Sequence, residues 1–138
     1  MNMLNAYKPS LDRIYGNRFP ELRSSFQTLL MILCNMEDVM HELSTDDERT
    51  SKLRMLSGAS TRHFELEAEH MKSHGYNRES IELHVIKHQK FLDDVEFFCN
   101  SFSHQLMKHN VAAYRGLQKW LLHHLLMEDA HYMSKAIG

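Results

Sequence analysis

Glycine and proline are scarce in this chain, with five Gly and two Pro in 138 residues. Gly permits left-handed backbone and Pro fixes φ while removing a donor, so a chain poor in both has little material for hairpin turns, bulges or flexible linkers. The composition leans towards an all-α chain. Cysteine is scarce too. Cys34 and Cys99 both lie in apolar helical patterns and read as small core residues rather than a disulfide or a metal pair. No long hydrophobic run exists: the longest, Leu29 to Cys34, is far short of the ~20 residues that span a bilayer. The start, Met1-Asn2-Met3-Leu4-Asn5-Ala6, lacks the basic and apolar regions of a signal peptide, so a cytoplasmic protein with no membrane partner is expected. Nor is there an excess of charge of one sign. Sixteen basic residues against eighteen acidic ones give −2, and the Lys and Arg are scattered, which leaves no footprint for nucleic acid.

What remains is an ordinary globular composition, 43% hydrophobic and 25% charged, in a chain long enough for one domain, 1–138, with a substantial core. Residues 1–19, with Tyr7, Pro9, Tyr15 and Gly16, show weak periodicity and read as an N-terminal arm. A first helix, about 20–43, begins at Pro20, a residue suited to the first helical position. Its apolar stripe is Leu22, Phe26, Leu29, Leu33, Met36, Met40. Thr45 and Glu48 form a capping box that starts a second helix, about 46–74, and Gly75 stops it. A third helix, about 78–107, carries Ile81, His84, His88, Phe91, Val95, Phe98, Phe102 and Leu106. Lys108-His109-Asn110 reads as a short break with Asn110 as a possible N-cap, and a fourth helix, about 111–133, carries Ala113, Leu117, Trp120, Leu121, His124 and Leu125. Four such helices with short connections predict an all-α, antiparallel up-down-up-down four-helix bundle.

Histidine is what the chain has in excess, eleven of them. On the second helix the core stripe runs Leu53, Leu56, Ser60, His63, Glu67, then His70 or Met71, so His63 and Glu67, four apart, project from the apolar face. His84 and His88 occupy successive turns of the third helix's core stripe, and His124 lies on the fourth's. A carboxylate and imidazoles aimed into a core need partners, because burying them unsatisfied would cost several kcal/mol. Antiparallel packing can bring them to one depth. Three or more imidazoles with a carboxylate suit Fe, Zn, Cu or Ni, whereas calcium and magnesium would require more oxygen. On the fourth helix the same-face carboxylate is Glu128 at i+4, while Asp129 at i+5 is turned by roughly 140° on a regular helix. His70, one turn past Glu67, and His131 read as bundle-end histidines near water. His41, His74, His104, His109 and His123 read as surface residues.

The run His63-Phe64-x-x-Glu67-x-x-x-Met71 before Gly75-Tyr76, then His84-x-x-x-His88, then Trp120-Leu121-x-x-His124-x-x-x-x-Asp129, resembles the bacterial hemerythrin family over about residues 20–132. The resemblance implies a four-helix bundle holding a non-haem di-iron centre that binds O2 reversibly. It implies that His84, His88 and His124 hold one iron, that His63 is a ligand of the other, that Glu67 and Asp129 bridge them, and that Trp120 and Leu121 line the oxygen pocket. It places Asp129 ahead of Glu128. One position departs: where the family has a further histidine on its first helix, this chain has Phe26, with Gln27 the nearest polar side chain, pointing about 100° away. The second iron thereby keeps His63 and shared carboxylates. The expected function is binding of O2 or another small diatomic ligand at iron, for carriage, storage, delivery or sensing, without turnover. The alternatives are a modified or partly occupied iron site acting on peroxide or nitric oxide, and a mono-metal sensor or interaction domain.

Overall fold

The structure is a computed structural model that describes residues 3–15, 19–40, 44–102 and 106–128. Every regular element among them is helical: α1 Met3–Ile14, α2 Pro20–Val39, α3 Asp46–Ser73, α4 Arg78–Ser101 and α5 Met107–His123, the last continuing into a π-helical turn, His124–Glu128. α2 packs on α1 and α3, α3 on α4, and α4 on α5. Among the described residues no helix is long and apolar enough to cross a membrane.

The helix starts follow from local chemistry. Pro20 opens α2 at its first position, after Phe19, whose φ of 54° is left-handed. The Thr45 hydroxyl accepts from the Glu48 amide at 3.1 Å, and Asn77 Oδ1 accepts from the Ser80 amide at 2.7 Å, each satisfying one of the donors a helix leaves open at its start. α3 ends in a Schellman arrangement: the Tyr76 amide donates to the Met71 carbonyl at 3.1 Å and the Gly75 amide to the Lys72 carbonyl at 3.3 Å. That geometry requires the left-handed φ of 73° that Gly75 adopts.

Two segments differ from the sequence expectation. The arm over residues 1–19 contains the helix α1, which tolerates Pro9 in its interior. Leu11, Ile14 and Tyr15 are buried at helical spacing, and the Tyr15 ring meets Phe26 edge-on at 6.0 Å, so burial of this face outweighs the amide that Pro9 lacks. The break expected at residues 108–110 lies earlier. α4 ends at Ser101, α5 is already helical at Met107, and residues 103–105 lie outside the described set. Asn110 is buried inside α5 and does not cap it; its Nδ2 donates to the Phe102 carbonyl at 2.8 Å, closing the end of the preceding helix.

The core follows the expected stripes on α2, with Leu22, Phe26, Leu29, Leu33 and Met36 buried, and on α4, with Phe91, Val95 and Phe98 buried. On α5 the expected stripe holds at Leu121, His124 and Leu125 and departs near the helix start. Ala113 is exposed and Tyr114 is buried instead, its hydroxyl donating to the Leu33 carbonyl at 2.7 Å. A phenol can face a core when its O–H finds such an acceptor.

Candidate metal centre

His63 and Glu67 on α3, His84 and His88 on α4, and His124 at the end of α5 are all drawn inward, each with 3% or less of its surface exposed. The i, i+4 spacing puts each pair on one helical face, and the flanking apolar stripe turns that face to the core. Glu67 is the hub. Its Oε1 accepts from His84 Nε2 and lies 3.2 Å from His88 Nε2, while its Oε2 lies 3.2 Å from His63 Nε2. His88 and His124 bring their Nε2 atoms within 2.8 Å of each other. One donor atom from each of Glu67, His84, His88 and His124 lies within 4.8 Å of the other three, the one such group of metal-ligating side chains among the described residues.

Burial sets the protonation. It pushes His88 far below the ordinary histidine value, with the neighbouring His84, His124 and His63 adding to the effect. His124 is lowered to about 4, by burial first and then His84, against an upward pull from Glu128. Both are therefore neutral at physiological pH and carry a nitrogen lone pair, the form in which imidazole binds a metal. Aromatic rings fix the planes. Phe64 stacks on His88 at 3.7 Å and Trp120 on His124 at 4.8 Å, and Phe91 also stacks on Trp120 at 4.8 Å.

The outer nitrogens have polar neighbours as well. Ser25 Oγ is hydrogen-bonded to His63 Nδ1, and Glu128 Oε2 lies 2.7 Å from His124 Nδ1 while its Oε1 accepts from Lys87 Nζ at 3.0 Å. Ser25 also lines a cleft of about 460 Å³ with Ser24, Thr28, Ala59 and Arg62, so the hydroxyl joins that cleft to the buried ring.

Of the residues expected at a site, His84, His88, His124 and Glu67 meet directly, and His63 joins them through the carboxylate. Asp129 lies outside the described residues, as do His41, His104 and His131; the carboxylate that does reach His124 is Glu128. Phe26 is fully buried with its ring edge-on to His63 at 6.2 Å, so hydrocarbon stands beside His63. Trp120 stacks on His124, and Leu121 is fully buried in the core of the same helix. His70 turns to the helix end, against Phe19 at 4.2 Å and His74 at 4.0 Å. One serine beside the site, Ser25, was not anticipated, and a second, Ser60, was expected only as part of the core stripe. Ser25 was masked by its neighbour Phe26, which carries the core stripe. Ser60 is wholly buried one turn before His63, and its Oγ makes no hydrogen bond among the described residues. A hydroxyl on an apolar stripe beside a ligand-type residue was the available signal.

No protein-family profile, no curated protein and no solved structure matches this chain.

Proposed function

We propose that this chain is a non-haem iron protein that binds O2 or a similar diatomic ligand inside an antiparallel four-helix bundle formed by α2 to α5. The observation that carries the reading is the convergence of Glu67, His84, His88 and His124, all buried, within 4.8 Å. Neutral imidazoles with a single carboxylate fit a first-row transition metal and not calcium or magnesium. The bundle is supported by the contacts of α2 with α3, α3 with α4 and α4 with α5, and by the short connections between them.

Iron held there would supply an open coordination position and the electrons that O2 binding draws on. The chain does the rest. His84, His88 and His124 present Nε2, Glu67 offsets cationic charge, and Phe64, Phe91 and Trp120 wall the imidazoles off from water. For a second ion the described residues leave His63 and Glu67 Oε2, with Phe26 beside them. That favours a second reading, a centre with one firmly held metal that reacts with peroxide or nitric oxide instead of carrying O2.

Anaerobic iron loading followed by metal analysis and absorption spectroscopy decides between them. A reversible absorption change on exposure to O2 supports the carrier, and bleaching or product formation on peroxide or nitric oxide supports the second reading. Iron bound at well under one per chain, with no spectral response to any of these ligands, would overturn both. Glu67→Ala should abolish loading, because it leaves the imidazole-bound cation uncompensated in the core.

A further inference from the structure

At the end of α5 the helix changes character. Met107–His123 is α-helical, and His124–Glu128 is wound as a π turn. Such turns recur at functional sites, where the widened backbone re-aims a side chain. Here the turn contains a buried imidazole and the carboxylate that returns to it. Glu128 Oε2 stands 2.7 Å from Nδ1 of His124 as a close charged neighbour, off the line of a hydrogen bond, on the side of the ring away from His88, whose Nε2 meets His124 Nε2 at 2.8 Å. Glu128 is tied at its other oxygen to Lys87 of α4, 3.0 Å away. It is absent from the group of donors lying within 4.8 Å of one another. The carboxylate therefore sits behind the ring, where it touches a ligand-type residue without joining the cluster.

We propose that Glu128, anchored by Lys87, is the positioning residue of the metal centre: the negative charge of its carboxylate beside Nδ1 favours the proton of His124 on that nitrogen and so leaves a bare Nε2 toward Glu67, His84 and His88. The claim rests on the metal-binding reading above for its effect on affinity, but the placement of the proton stands apart from it. A neutral imidazole carries one N–H, and the partner of one nitrogen decides which nitrogen is left with the lone pair. A carboxylate behind a ligating histidine fixes both the tautomer and the ring orientation and strengthens the ring as a donor. His63 is served differently, since its Nδ1 meets the neutral Ser25 hydroxyl. The two outer contacts thus rank the imidazoles, with His124 the stronger donor and His63 the weaker.

The test uses the full chain and the variants Glu128→Leu and Lys87→Met. Both side chains are partly exposed, 31% for Glu128 and 54% for Lys87, so the core is left intact. In the metal-free protein, side-chain 15N NMR should show His124 protonated on Nδ1, and Glu128→Leu should shift the proton wholly or partly to Nε2. Zinc(II) affinity, measured by competition with a chromophoric chelator, should fall about 10- to 100-fold in Glu128→Leu and by less in Lys87→Met. The visible spectrum of the cobalt(II)-loaded variant should keep the wild-type band shape, because the donor set is unchanged. The proposal is overturned by a wild-type His124 protonated on Nε2, by unchanged zinc affinity in Glu128→Leu, or by a cobalt spectrum showing that Glu128 is itself a ligand. If the wild type takes up no zinc, the metal-binding reading fails, while the tautomer of the metal-free ring still decides the role of Glu128.

Discussion

Mild acid should destabilise the metal-free protein in a window set by its buried histidines. An unfolded histidine titrates near 6.5, whereas His124 in the fold titrates at about 4 because burial and His84 disfavour its charged form. Between those values the unfolded chain binds more protons than the folded one. Stability is therefore complete above about pH 6.5 and is lost as the pH falls toward about 4. For His124 the loss between about pH 7 and about pH 5 is ~2 kcal/mol. His88 is shifted further in the same direction and would add as much again if it were independent. Its ring lies 4.8 Å from that of His124, so a second proton meets the charge of the first. The expected loss from these two is thus ~2–4 kcal/mol, a large part of the ~5–15 kcal/mol that holds a typical domain, and the half-buried His70, also lowered to about 4, adds a smaller share in the same window. It corresponds to a fall in Tm of roughly 6–12 °C for a chain of this length. Glu128, whose carboxyl burial raises but Lys87 and His124 together hold below its usual value, loses its contribution only at lower pH and does not confuse the window. Thermal and urea melts in the presence of a chelator, at several pH values across the window, measure the effect, and His124→Leu should shrink it. A Tm that stays level or rises on acidification would refute the claim that these imidazoles are buried and neutral.

Three substitutions probe the surroundings of the centre. Phe26→His should raise metal content above that of the wild type, because Phe26 stands beside His63 where a second metal would need a further ligand; unchanged metal content on elemental analysis would show that the position does not face the site. Ser60→Ala should leave the melt of the metal-free protein unchanged or raise it by ~1 kcal/mol, since it removes a wholly buried hydroxyl without a hydrogen bond among the described residues. A clear loss of stability would reveal a partner for that hydroxyl. Phe64→Ala should cost ~3–5 kcal/mol in urea unfolding, because the ring is buried and stacked on His88 at 3.7 Å, and a cost under about 1 kcal/mol would mean that the imidazoles hold their planes without it.

The faces of the helices were legible because helical spacing is a property of the sequence. Four-residue steps put His63 with Glu67 and His84 with His88, and the surrounding apolar stripe turned both pairs inward. Illegible were features decided by tertiary burial or by departures from the regular helix. Pro9 concealed α1, whose Leu11 and Tyr15 gain more from the core than the missing amide costs. Asn110 had the chemistry of a cap and serves as one, but for the helix before it. Phe26 was found and Ser25 missed, because the stripe identifies which side chain fills the core and is silent on a small neighbour reaching round it. The π turn is the sharpest case. Periodicity on a regular helix favoured Glu128 over Asp129, the family pattern favoured Asp129, and neither anticipated a carboxylate placed behind His124. Charge gives that placement a reason. A divalent ion held among neutral imidazoles would bring two positive charges into the core, and Glu67 would offset one. Glu128 supplies a second negative charge one ring further out, where Lys87 and solvent can stabilise it without a full desolvation cost. A carboxylate moved inward to ligate would lose that solvation, so the arrangement would balance such an ion's charge with Glu67 the one carboxylate buried among the described residues.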